Sequence, residues 1–309
     1  MIETLLSPLF PWYTFFTILS FCFGACIGSF LNVCIYRIPR DLSVVAPRSF
    51  CPHCSKPIPW YHNIPIATYL MLGGKSKCCK KGIKFRYVLV EILTAVLFLL
   101  IWLKFDNQPG SRIFALAPIT DWRLVPVYWL IVSGLILGTF VDFEHLIIPD
   151  RVTIGGIISG LIISVTLPNL HAESNRLAAL AFSMLGAIVG GGILWGLGLL
   201  GKLIFRKEAM GFGDVKLLAG LGAFLGTKAV LFNVLVSSFV GSVAGISFVL
   251  AKCRKMRDRI PYGPYIALAA VIWILWGSSI WDAYMNLLFP LELPGGPDLL
   301  PQNTSIYIN

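Results

Sequence analysis

Apolar residues occur along this chain in long unbroken stretches rather than at every second or every third to fourth position, and most of the stretches are long enough to cross a bilayer. The first runs from about residue 12 to 36. Others fall at about 88 to 105, 124 to 141, 152 to 170, 177 to 200, 217 to 226, 229 to 251 and 265 to 289. Since a crossing helix needs roughly 20 apolar residues, the pattern predicts an all-α polytopic membrane protein with about eight transmembrane helices. The run at 217 to 226 (LLAGLGAFLG) is too short to cross alone. It is either a half-helix or the end of a helix that begins earlier, and seven crossings is the alternative count. No Lys or Arg precedes Arg37, so the basic residues follow the first run, as in an uncleaved anchor rather than a secretory signal.

Composition agrees: of 309 residues 57% are hydrophobic and 13% charged, with a mean hydropathy of +0.79. These values exclude disordered, collagen-like and coiled-coil chains. The net charge of +10 resembles that of a nucleic-acid binder until its distribution is considered. Residues 37 to 86 hold ten Lys/Arg and a single acid, Asp41, and the rest of the chain is almost neutral. The charge therefore reports topology, and no nucleic-acid partner is expected. With the N-terminus outside, the cytoplasmic loops are 37 to 87, 142 to 151, 201 to 216 and 252 to 264, and three of the four are basic, as the positive-inside rule requires. The exception, 142 to 151 (DFEHLIIPDR), carries three acids and one Arg.

Alternating crossings bring Asp142 and Asp214 to the same membrane face although 72 residues separate them. Gly211 and Gly213 flank Phe212 just before Asp214 and leave room for a substrate strand. Two neighbouring carboxylates cannot both ionise cheaply; sharing a proton, one activates water as a base while the other protonates a leaving amine. That is aspartic-protease chemistry, which needs no metal. One such acid at the end of a span is ordinarily just solvated. Two on one face, in a region where ionisable groups seldom lack a role, favour function. Lys216, Asp150, Glu144 and His145 are nearby candidates for support, with snorkelling to the interface the ordinary role of Lys216.

Within the basic loop, Cys51 and Cys54 form a CxxC, and Cys78 and Cys79 follow. Four thiols in a cytoplasmic loop point to a structural Zn2+ site, because disulfides are disfavoured there and tetrathiolate zinc folds short loops that have little core. Ser76 stands where a cysteine would complete a second CxxC with Cys79, which makes Cys78 an irregular fourth ligand, with His53 or His62 as substitutes. Cys22, Cys26 and Cys34 in the first run read as helix-packing positions, as does the glycine series around Gly186, Gly190, Gly191 and Gly192.

Taken in order, these segments resemble the bacterial type IV prepilin peptidase family, a GxGD-type aspartyl protease family. The first run holds Gly28, Ser29, Phe30, Leu31, Asn32 and Val33, with Arg37 and Pro39 after it. The loop reads PRSFCPHC, then Trp60, Tyr61, Asn63, Ile64 and Pro65, then RYVLVE ending at Glu91. Asp142 precedes Ile148, Pro149 and Asp150, GFGDVK surrounds Asp214, and YGPY spans Tyr262 to Tyr265. Two positions depart from the family pattern: Ser76 for the third loop cysteine, and Val88 for a proline.

The resemblance implies that Asp142 and Asp214 are the catalytic pair of a multi-pass protein of the bacterial inner membrane, its active site facing the cytoplasm. It implies prepilin and pseudopilin substrates of type IV pilus or type II secretion systems, cleavage of a short basic leader after a glycine, and N-methylation of the new N-terminus from S-adenosyl-L-methionine. It divides the chain into an anchoring helix (1–36), a basic loop tied to methyl transfer (37–87) and a transmembrane peptidase domain (88–309). No glycine-rich nucleotide fingerprint marks a methyl-donor site; the family points to the N-terminal loop, with Glu91 as a candidate. The rival from another class is an ion- or proton-coupled transporter using Asp142 and Asp214 beside broken helices. It leaves the cysteine loop without a role.

Overall fold

The computed structural model describes residues 12–51, 53–59, 63–104, 121–206, 211–251 and 261–288. The described residues are almost all helical: α1 (Trp12–Arg37), α2 (Ala67–Met71), α3 (Arg86–Leu103), α4 (Leu124–His145), α5 (Asp150–Thr166), α6 (Arg176–Phe205), α7 (Phe212–Leu250) and α8 (Gly263–Leu288). In lipid every backbone N–H and C=O must be satisfied within the protein, which helices do residue by residue. Large apolar side chains such as Ile18, Ile188, Leu235 and Phe239 point outward, the distribution of a chain solvated by hydrocarbon. His62, Trp60, Tyr61 and the basic run at 252–259 lie outside the described residues.

Six described helices are long and apolar enough to cross a membrane: α1, α3, α4, α6, α7 and α8. These six hold seven of the eight expected segments, two of them in α7, and the eighth takes another form. The run at 152 to 170 becomes α5, with 17 residues, which ends at Thr166 and gives way to a 3-10 turn at Pro168–His171. At 1.5 Å per residue α5 is about 25 Å long. The runs at 217 to 226 and 229 to 251 are the two limbs of α7, which starts at Phe212 and is broken at Gly226 (φ 78°, ψ 178°). This positive φ suits glycine. The chain reverses there. The Val230 side chain comes within 3.0 Å of where a Cβ on Gly222 would stand, whereas eight residues of straight helix would separate them by about 12 Å.

The helices gather in two groups. α1 packs on α3 and both touch α4, while α6 and α5 pack on α7; α8 joins the groups by contacting α4 and α7. The α6–α7 contact is very close: a Cβ on Gly186 would collide with the Gly222 carbonyl, and one on Gly190 would stand 2.5 Å from the Leu218 carbonyl oxygen. Gly191 makes ordinary contact and Gly192 faces open space, so only part of the glycine series serves packing. Of the three cysteines of α1, Cys34 is buried, but Cys22 and Cys26 are exposed on its outer face rather than packed. The core runs from Ile35 and Phe98 through Val141 to Leu218 and Ile266, and ends where α4, α7 and α8 meet.

Candidate active site and thiol cluster

Asp142 lies in the last turn of α4, where the amide of the left-handed residue Leu146 (φ 54°) closes on the Asp142 carbonyl at 2.9 Å. The extended Pro149 then caps α5, whose first residue is Asp150. The loop expected over 142 to 151 thus shrinks to residues 146–149. Asp214 sits in the first turn of α7, its amide donating to the Gly211 carbonyl at 3.2 Å.

The two carboxyls, 5% and 8% exposed, lie within electrostatic reach of one another. A third helix end completes the arrangement, for the Gly263 N–H at the start of α8 donates to Asp142 Oδ2 at 3.1 Å. Ile148 packs beneath all three, 3.3 Å from a Cβ built on Gly213 and 3.1 Å from one built on Gly263. The Gly263 Cβ would also stand 2.8 Å from Asp142 Oδ2, and that of Gly211 3.2 Å from Asp214 Oδ2. Side chains at these glycines would fill the space beside the carboxyls. The backbone amide of Gly263 was legible in the sequence only as part of YGPY, since no sequence pattern says which acid an amide meets. The motif is held in place from the side: the Tyr262 hydroxyl lies 2.7 Å from Ser237 Oγ, on the returning limb of α7.

The acidic stretch 142 to 151 has a physical account. Glu144 pairs with Arg86 at the start of α3, and Asp150 pairs with Lys216 at 2.7 Å. Among the described residues, no ion pair reaches Asp142 or Asp214. The rim acids are neutralised and the two buried ones are left to each other. Lys216, which also lies over the Phe212 ring, is a tie between α5 and α7. Glu91 is elsewhere, on α3, accepting from the Ile66 amide at 2.8 Å, with Ser29 of α1 within electrostatic reach.

In the basic loop, two turns with the same backbone pattern face each other. In the first, Phe50 bridges Pro57, the Cys51 amide donates to Lys56 O, the Ser55 amide to Cys51 O, and Ser55 has φ 56°. In the second, Lys75 bridges Gly82, the Ser76 amide donates to Lys81 O, the Lys80 amide to Ser76 O, and Lys80 has φ 55°. By this register Ser76 corresponds to Cys51 and Cys79 to Cys54, with Cys78 one residue early. Yet the sulfurs of Cys51, Cys54, Cys78 and Cys79 all lie within 4.8 Å of one another, Cys51 to Cys79 at 3.8 Å and Cys54 to Cys78 at 3.2 Å. Four thiolates about 2.3 Å from one tetrahedral zinc stand about 3.8 Å apart, so the set fits a metal ion of that kind. His53 is exposed and outside the cluster. The thiols oppose one another. Burial raises Cys51, but hydrogen bonds from Ser76, the His53 and Cys54 backbone and Cys78 outweigh it and bring it down to about 6. The Lys56 amide lowers Cys54, but Cys78, burial and Cys51 together push it up to about 11. A bound cation would relieve this crowding of negative charge.

Comparison with known proteins gives two family matches: Bacterial Peptidase A24 N-terminal domain over residues 22–105, and Type IV leader peptidase family over residues 129–246. The chain is 35% identical over 300 residues to a prepilin leader peptidase/N-methyltransferase of Aeromonas hydrophila, covering 89% of this chain and 95% of the relative. Proteins of the same name from Aeromonas salmonicida (strain A449) and Pseudomonas aeruginosa are 34% and 32% identical, each covering about nine-tenths of this chain and more than nine-tenths of the relative. No solved structure matches.

Proposed function

The chain belongs to the type IV leader peptidase family, and from that premise we propose that it cleaves the basic leader of prepilins and pseudopilins with Asp142 and Asp214 and then methylates the new N-terminus. The observation that carries the proteolytic half is the pair of buried carboxyls at two helix ends, within electrostatic reach of each other and free of ionic partners among the described residues. The rival transport role drops out, since relatives aligned over nearly their whole length carry enzyme names.

The pair holds one proton between its two carboxyls. The ionised member takes a proton from water as the water oxygen bonds to the scissile carbonyl carbon; the protonated member gives its proton to the amide nitrogen as the C–N bond breaks. The result is one acid, one amine and a pair that again holds a single proton. The Gly263 amide keeps Asp142 oriented throughout. Burial among α4, α7 and α8 limits water around the dyad and strengthens its electrostatics. The site faces the cytoplasm of the bacterial inner membrane, where a cationic leader remains while the substrate's apolar helix lies in the lipid. S-adenosyl-L-methionine supplies the methyl group, and Cys51, Cys54, Cys78 and Cys79 hold a structural zinc ion that folds the basic loop.

The test uses purified full-length protein in detergent with a prepilin, followed by mass spectrometry for leader loss and an added methyl. Asp142→Ala and Asp214→Ala each lower cleavage by about 10²–10⁴-fold or more, while methylation of a pre-cleaved peptide continues. Leader removal at the wild-type rate by either variant rejects the assignment.

A further inference from the structure

The basic loop carries two features that neither the dyad nor the thiol cluster uses. The five-residue helix α2 (Ala67–Met71) ends on two large apolar side chains that no described residue covers: Leu70 is 70% exposed and Met71 86%. The chain then turns through Gly73 and Gly74, both at positive φ, into the second thiol turn. From there to α3, Lys75, Lys77, Lys80, Lys81 and Lys84 are all exposed, and none of them makes an ion pair among the described residues. No acid stands between Asp41 and Glu91, so the loop has almost nothing of its own to neutralise them.

The level at which α2 sits decides what lies against Leu70 and Met71. Lipid meets α3 from its very start, because Phe85, Leu89 and Leu93, four residues apart and hence on one side of the helix, are all exposed. α2 is fastened farther along. The Ile66 amide just before it donates to Glu91 Oε2 at 2.8 Å, and Glu91 lies about 7.5 Å beyond Arg86 along the axis of α3. α2 therefore lies beside the apolar part of α3 rather than above it in water. The Arg86–Glu144 pair sets this end of α3 on the same membrane face as Asp142. An exposed apolar tip at that level, followed by a run of unpaired lysines, matches a bilayer surface: acyl chains cover the tip, and ammonium groups meet headgroup phosphates. A cationic peptide would be repelled by the same run.

We propose that α2 is an interfacial anchor, with Leu70 and Met71 inserted into the leaflet on the dyad's side of the membrane and the five lysines binding anionic phospholipid headgroups beside it. Cys78 and Cys79 lie among those lysines, so the anchor holds the thiol cluster against the membrane close to Asp142 instead of leaving it free in water.

The test is photocrosslinking of the full-length protein in nanodiscs of phosphatidylcholine with phosphatidylglycerol as the minor component. Benzoylphenylalanine is placed at position 71 and, as a lipid-facing reference, at the exposed position 239, and intact-mass spectra identify the adducts. Position 71 gives a phospholipid adduct in which phosphatidylglycerol is enriched about threefold or more over its share of the bilayer. Replacing all five lysines by glutamine (Lys75→Gln, Lys77→Gln, Lys80→Gln, Lys81→Gln, Lys84→Gln) removes the enrichment. If that variant does not purify, salt at about 1 M, where the Debye length falls to about 3 Å, removes it from the protein with its lysines intact. Lipid adducts at 239 but none at 71 overturn the inference, as does a crosslink from 71 to a protein chain in place of lipid. An adduct at 71 with the bulk lipid ratio, or an enrichment that survives loss of the lysines or high salt, rejects the headgroup site.

Discussion

Gly263 shows how much a single atom decides near the two carboxyls. A methyl group there would stand 2.8 Å from Asp142 Oδ2 and 3.1 Å from Ile148, so Gly263→Ala must displace the carboxylate or the start of α8. Cleavage should fall by about 10²-fold or more, measured as kcat on a prepilin. Ser76 and Cys78 allow a sharper test in the basic loop, because Ser76 occupies the register position of a ligand and Cys78 does not. Cys78→Ser should lower zinc retention in competition with a chelator, and adding Ser76→Cys to it should restore retention to wild type or better. A double variant that holds no more zinc than Cys78→Ser would show that the register does not govern ligation. The Lys216–Asp150 pair is partly exposed on both sides, so Lys216→Ala should cost no more than about 1 kcal/mol in an unfolding titration.

At the scale of elements, the break in α7 turns one long apolar helix into two antiparallel limbs. Its geometry depends on Gly226, whose φ of 78° with an extended ψ is accessible to essentially no other residue. Gly226→Ala should destabilise the protein by about 1–3 kcal/mol, seen as a lowered midpoint of thermal unfolding in detergent, with cleavage reduced because Asp214 and Ser237 lie on opposite sides of the turn. The two limbs were legible as separate apolar runs, at 217 to 226 and 229 to 251. Hydropathy located them but not the start of the first, since GFGDVK is polar in composition yet helical from Phe212 onward, its early turn formed on the Gly211 carbonyl. Composition likewise failed to separate the glycines of α6 that touch α7 from those that face outward, because that depends on which way each points around the helix axis.

For the whole molecule, the passage through α5 and α6 decides whether Asp142 and Asp214 share a membrane face, and the reversal in α7 decides whether Gly263 returns to it. Cysteine substitutions at Glu144 and at Gly211 should both react with a membrane-impermeant thiol reagent in inside-out vesicles and in neither case from the outside of intact cells. Labelling from opposite sides would separate the two acids by the bilayer and end the dyad mechanism. Pattern alone established the all-α, multi-pass architecture, because lipid admits few ways to satisfy a backbone and of these only the helix leaves a long apolar run in the sequence. It also exposed the concentration of charge before α3, the four loop thiols and the two aspartates as residues in need of a role. Tertiary structure alone decided which partners these residues have: Gly263 for Asp142, Arg86 and Lys216 for the rim acids, Ser29 and Ile66 for Glu91, and the convergence of Cys78 with three thiols despite its register. Those pairings join positions up to 121 residues apart and depend on how helices are rotated and inclined against one another. Rotation of that kind is fixed by side-chain packing between segments, which a one-dimensional pattern of apolar and polar positions does not encode.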